Sequence, residues 1–158
     1  QYRVGDVICV DDKCGVVEDI SLRMTIIRDI DGTLHHIPSG AITIASNLSK
    51  DYARIKLEVG VGYEEDITRI EEVVNRVGTE LAQDPEWKDY INEPPTFNRI
   101  ENFGDSAVII RILGDTTDPL QKWAVTGELR KRLKVAFDKE GISIPYPQHV
   151  IHQAKSQQ

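Results

Sequence analysis

Asp66-Ile67-Thr68-Arg69-Ile70-Glu71-Glu72-Val73-Val74-Asn75-Arg76-Val77-Gly78-Thr79-Glu80-Leu81 is the stretch whose periodicity decides the fold of the longer, C-terminal part of the chain. Ile67, Ile70, Val74, Val77 and Leu81 recur at alternating steps of three and four, which places them on one apolar stripe of a helix. Glu64, Glu65 and Asp66 stand at its start, where the helix dipole favours anions. Asp84-Pro85 sets its end, because proline cannot continue a helix and drives its predecessor to extended geometry.

Working outward from this helix, Arg54 to Val61 before it reads as a strand, and Phe97 to Phe103 with Ala107 to Leu113 after it read as a hairpin across Gly104-Asp105. Asp118 followed by Pro119 is an N-cap and first-turn pair. It opens a second helix that reaches Glu140, stops at Gly141 and turns Val125, Leu129, Leu133, Ala136 and Phe137 inward. Pro145 to His152 is a proline-stiffened extended piece ending in a strand. The order strand, helix, strand, strand, helix, strand is that of a ferredoxin-like βαββαβ domain, with two helices on one face of an antiparallel sheet. Ala107 to Leu113 is apolar on both faces except at Arg111, so the other sheet face is expected to meet another domain or subunit.

Upstream, the pattern is different. Val7 to Val10, Gly15 to Ile20, Met24 to Arg28 and Thr33 to Ile37 are short β-branched runs, and Asp31-Gly32 carries the signal of a two-residue hairpin turn. Strands this short protect their edges by curling into a barrel or by pairing with neighbours. The chain is therefore read as α+β: a small all-β, barrel-like (Sm-like) domain over residues 1–50, a ferredoxin-like domain over 51–147, and a C-terminal strand and tail over 148–158.

With 158 residues, 40% hydrophobic and 28% charged, the composition is that of a folded chain and not a disordered one. The longest apolar run, Ala107 to Ile110, is far short of the roughly 20 residues that span a bilayer. The chain opens on Gln1 in place of Met, which reads as a processed end or as the loss of an upstream portion. A net charge of -7 argues against a nucleic-acid partner.

Candidate chemistry is sparse. Cys9 and Cys14, five apart, fit the two arms of a hairpin turning at Asp11-Asp12-Lys13; they read as two small buried or half-buried side chains, with a cross-strand disulfide as the alternative. No further ligand stands at zinc spacing. His35 and His36 are adjacent in a strand and point to opposite faces, as do His149 and His152 if extended, so neither pair chelates a metal from one strand. Ser39 and Ser106 lack a nucleophile-elbow context, and no glycine-rich phosphate loop is present. Arg130, Lys131, Arg132 and Lys134, with Lys122 and Lys139, form a basic helix face: a solvated surface, or one that guides ions or an anionic ligand. Trp87, Trp123, Tyr90 and Phe97 read as core or subunit-contact residues, not as a base-stacking platform. No catalytic, cofactor-binding or metal-binding residue is assigned, and no enzyme activity is expected.

Several stretches resemble, in order, the MscS family of small-conductance mechanosensitive ion channels. Val4-Gly5-Asp6-Val7-Ile8 resembles the family motif that follows the pore helix. Gly15-Val16-Val17-Glu18-Asp19-Ile20 and Leu22-Arg23-Met24-Thr25 resemble the next β-domain motif, continued by Asp31-Gly32-Thr33-Leu34, Ile37-Pro38 and Asn47-Leu48-Ser49. Phe103-Gly104-Asp105-Ser106-Ala107-Val108 and Gly141-Ile142-Ser143-Ile144-Pro145-Tyr146-Pro147-Gln148 are similar to the family's cytoplasmic domain. Ser39 stands where the family usually has Asn, which alters turn chemistry.

The resemblance implies the cytoplasmic vestibule of a tension-gated channel of the cell membrane that acts in osmotic stress. Identical subunits, a homoheptamer, would form the ring; ions would pass through side openings, and absent transmembrane helices would contact the lipid bilayer. The terminal strand would join copies of itself around the axis. The competing expectation is a ligand-sensing regulatory domain that binds a small molecule between subunits.

Overall fold

The computed structural model describes residues 2–48 and 52–149. The N-terminal part forms β1 (Val7–Val10), β2 (Lys13–Ile20), β3 (Met24–Arg28), β4 (Leu34–Pro38), a 3-10 turn (Ser39–Ala41) and β5 (Ala45–Asn47). These make one antiparallel sheet in the order β4-β3-β2-β1-β5. Ile8, Val10, Val17 and Ile27 are its buried core, with Tyr2, Ile37 and Ile42 packed against them. Thr25 is buried, and its hydroxyl is satisfied by the Tyr2 hydroxyl at 2.9 Å.

Several details of this domain differ from the sequence reading, beginning with the first turn, which is Asp11-Asp12 alone because Lys13 already pairs with Val10 in the ladder. The β3–β4 connection is a five-residue loop, because Arg28 pairs with Leu34. The Asp29 carboxylate accepts from the Asp31 and Thr33 amides at 3.0 and 2.8 Å, an Asx-type closure that competes with a two-residue turn. β5, unforeseen, pairs Asn47 with Ile8 and Ala45 with Val10. The cysteines take the alternative reading: Cys9 and Cys14 are bridged, as directly opposed partners of β1 and β2.

The second part forms β6 (Ala53–Val61), α1 (Ile67–Gln83), a 3-10 turn (Lys88–Tyr90), β7 (Ile91–Phe103), β8 (Val108–Thr116), a 3-10 turn (Pro119–Gln121) and α2 (Lys122–Glu140). The sheet is antiparallel in the order β6-β8-β7, and both helices lend their apolar faces to one core. Ile70, Val74, Val77 and Leu81 of the predicted stripe are buried, joined by Val73, and Ile67 packs at the margin. Asp66 caps α1 by accepting from the Thr68 amide at 2.9 Å. In α2, Val125, Leu129, Leu133 and Phe137 are buried and Ala136 is partly so, as the spacing predicts. Gly141 ends the helix in left-handed geometry at φ 70°, and the Ile142 amide reaches back to the Phe137 carbonyl at 2.8 Å while its side chain enters the core.

β7 begins six residues earlier than the sequence reading placed it. Glu93 pairs with Asp115 and Thr96 with Leu113, so Pro94 and Pro95 together oppose Gly114. This bulge lies on an edge strand, where prolines without amide protons cost no ladder bond. The residues that separate Pro119 from the α2 start form the 3-10 turn, capped by Asp118 accepting from Leu120 at 2.9 Å. Among the described residues the sheet has three strands and 142–149 run without strand structure; the end of that segment, where the terminal strand is expected, lies outside the described residues.

Candidate functional site

Residues far apart in sequence meet at two junctions. In the β domain, Asp6 accepts from the Arg3 amide at 2.9 Å and from the Asn47 side chain at 2.8 Å. Its carbonyl accepts from the Val17 amide, the Gly5 amide donates to the Val17 carbonyl, and the Leu48 amide donates to Val7, each at 2.8 Å. The Gly5-Asp6, Gly15–Ile20 and Asn47-Leu48 motifs are therefore one hydrogen-bonded unit, and it holds the chain's entry beside its exit toward the second domain. In the second domain, the segment after Gly141 crosses the end of the sheet. Gly62 donates to the Ser143 carbonyl at 3.1 Å, Ser143 donates to Glu65 at 2.7 Å, and the Gln148 amide donates to Ser106 at 3.1 Å. Tyr63 donates to the Gly104 carbonyl and stacks on Phe103 at 6.5 Å, leaving Phe103 exposed.

The sheet face opposite the helices carries an ion ladder. Arg111, on the central strand and only 15% exposed, donates to Glu58 of β6 at 2.9 Å and lies 2.6 Å from Glu101 of β7. Arg99 extends the ladder to Glu101 at 2.9 Å, and Arg54 pairs with the buried Asp115 at 3.0 Å. The Arg111 bond holds the Glu58 carboxyl below the usual carboxylate range. Ile109 and Leu113 flank Arg111 on this face and are half-buried.

The predicted basic face of α2 is neutralised in part. Arg132 bridges Asp84 at 2.6 Å and Glu128 at 2.9 Å, Lys131 lies 3.5 Å from Glu128, and Lys134 pairs with Asp138. Across the helix pair, Arg69 and Arg76 both reach Glu140, at 3.2 and 2.7 Å. Arg132 lowers the pKa of both Asp84 and Glu128 through its hydrogen bonds. A carboxylate depressed in the folded state stabilises fully above its unfolded value, about 4, and loses that contribution as pH falls through its folded value. Arg132→Gln is therefore expected to lower the urea midpoint near pH 7 and to approach wild type near pH 2; an equal deficit at both pH values would contradict the assignment.

The described histidines share no common site. His35 Nε2 lies 2.8 Å from Asp29 Oδ2, His36 is exposed on the opposite side of β4, His149 is exposed, and His152 is outside the described residues. No group of three or more His, Cys, Asp or Glu side chains able to hold a metal occurs among the described residues. Trp87 and Phe97 pack against the core, whereas Tyr90 and Trp123 are exposed. Among the described residues, no helix is long and apolar enough to cross a membrane.

An all-β unit followed by a two-helix, three-stranded α/β unit, with its C-terminal segment laid across the sheet end, defines the class; comparison with known proteins gives the family. Residues 1–50 match the mechanosensitive ion channel beta-domain, and residues 55–144 match the C-terminal region of the mechanosensitive ion channel MscS. The chain belongs to the MscS family of mechanosensitive ion channels.

A small-conductance mechanosensitive channel of Caldanaerobacter subterraneus subsp. tengcongensis is 35% identical over 151 residues, covering 96% of this chain and 52% of that protein. The crystal structure of Helicobacter pylori MscS in its closed state superposes with a TM-score of 0.80 at 27% identity, over 98% of this chain and 60% of that one. Arabidopsis thaliana MSL1, at 15% identity and a TM-score of 0.62 over 92% of this chain and 53% of that one, shares the fold. The chain spans about half the length of the curated relatives it matches.

Proposed function

We propose that this chain is the cytoplasmic vestibule portion of a tension-gated channel in the cell membrane, not an enzyme. Seven identical subunits form a ring whose side openings admit ions to a pore built by membrane helices elsewhere in the protein. The observation that carries this reading is the match of both domains, in order, to the two family regions, with the Helicobacter pylori channel superposing over nearly the whole chain. Strand edges without a ladder partner among the described residues, at β4, β6 and β7, support lateral association. So do exposed Leu22, Ile30, Ile44 and Phe103.

Seven copies carry seven times a net charge of -7, which favours cations inside a confined vestibule. Only charges within roughly 8 Å of an ion's path act strongly at physiological salt. Patch recordings of the full-length protein in liposomes test the reading: suction is expected to evoke a conductance whose reversal potential shifts toward cation preference in a salt gradient. Silence under tension contradicts the channel, and anion preference contradicts the charge argument alone.

A further inference from the structure

Cys9 and Cys14 are joined in a domain that, on the reading above, faces the cytoplasm, where thiol pools keep most cysteines reduced. The bond is placed by register. Val10 and Lys13 close the turn at Asp11-Asp12, with Asp11 at φ 52°, and Cys9–Cys14 is the next opposed pair, 4.1 Å apart at Cα. Next to the pair that closes a two-residue turn comes a non-hydrogen-bonded pair, the position where side chains approach most closely.

Two features separate this bond from a structural staple. It closes only a four-residue interval that the β1–β2 ladder already closes, and β1 is held on its other side by β5, so the hairpin has its full set of partners without the bond. Its two sulfurs also differ in access. Cys9 is half-buried, whereas Cys14 is exposed and lines an open cleft of about 280 Å³ with Val16 and Ile30 of the β domain, Leu120 of the 3-10 turn before α2 and Trp123 from the start of α2. Thiol exchange depends on access to the sulfur attacked.

We infer that Cys9 and Cys14 form a reversible thiol–disulfide exchange site for a low-molecular-weight thiol, with Cys14 as the sulfur attacked. In reduction, the incoming thiolate attacks Cys14 Sγ, the Cys9–Cys14 bond breaks, and its electron pair leaves on Cys9 Sγ, which takes a proton from water. A second thiolate attacks the mixed disulfide and releases Cys14, which is protonated in turn. Two thiols become one disulfide, and the two electrons and two protons they lose reduce the protein. Oxidation by the corresponding disulfide is the reverse.

The test equilibrates the folded 158-residue chain in reduced and oxidised glutathione at graded ratios, quenches with an alkylating reagent and counts adducts by mass, with circular dichroism alongside. The expected result is reversible conversion between zero and two alkylated cysteines with an unchanged spectrum. Alkylation only after denaturation, or two free thiols that oxidised glutathione never joins, overturns the proposal. Direction is read from single variants: Cys9→Ser, which leaves Cys14, is expected to form the glutathione adduct about tenfold faster than Cys14→Ser. Equal or inverted rates overturn Cys14 as the entry sulfur. Adduct counts do not depend on ring formation, so failure here and failure of the channel reading are separable.

Discussion

Replacing Gly78 by alanine is expected to destabilise the chain by about 3 kcal/mol, the upper part of the range for overpacking a close-packed contact. On helix propensity alone the sign would be opposite, since alanine is favoured over glycine by about 1 kcal/mol inside a helix. Packing wins here because a Cβ at Gly78 would stand 1.7 Å from the Pro95 carbonyl oxygen, a backbone atom that cannot swing away. The same proline presses on β8 from the other side: a Cβ at Gly114 would meet Pro95 Cα and N at 2.9 Å. The Pro94-Pro95 bulge therefore sits in a slot that two glycines keep open, and Asn75 fixes its register by accepting from the Phe97 amide at 2.8 Å. Gly127 in α2 is the internal control, because a Cβ there meets nothing within 4 Å. Gly127→Ala is expected to gain a few tenths to about 1 kcal/mol. Urea denaturation of the two variants beside wild type decides the matter, and a stabilising Gly78→Ala would show that the close approach of α1 to β7 is wrong.

The second large effect is expected at Phe137, fully buried at the end of α2 in the core of the α/β domain. Phe137→Ala should cost about 4 kcal/mol, the lost transfer free energy of the ring plus the cavity left behind. The helix terminus itself is not the cause, because Phe137 receives the Ile142 amide on its backbone carbonyl, which the substitution leaves in place. A loss under about 1 kcal/mol in the urea midpoint would mean that the site collapses freely and that the core is not packed as described.

The helices were the most legible part of the sequence, for a physical reason. A stripe such as Ile70, Val74, Val77 and Leu81 repeats its signal over several turns, and local breakers, Pro85 and Gly141, mark where each helix ends. What escaped detection depended on partners distant in sequence. β5 is three residues of Ala45–Asn47 with little apolar content, and it exists because β1, far upstream, offers an open edge. The first half of β7 was hidden because Pro94-Pro95 reads as a break; only the opposed Gly114 reveals that a bulge absorbs both prolines. The Asp31-Gly32 signal was real in placing a turn but misjudged its length, since the Asp29 carboxylate captured two amides.

The candidate site was legible as motifs and not as chemistry. Asp6 and Asn47 stand in separate motif fragments, and their hydrogen bond, which ties the start of the β domain to its end, has no signature in either fragment alone. The cysteine pair did carry a usable signal: across a two-residue turn, residues five apart are directly opposed. Composition pulled the other way, because two cysteines in a chain of this kind are more often small buried side chains than a bond. The charged ladder around Arg111 was half visible, as one arginine in an apolar strand with Glu101 across the expected hairpin, while Glu58 came from a strand some fifty residues upstream whose register no local signal sets.

On the proposed function, this chain carries its own ring-forming surfaces. Light scattering of the chain over a wide concentration range tests it most directly. The expected result is a stable mass near seven times 17.8 kDa, little changed by dilution. A monomer at every concentration would contradict it.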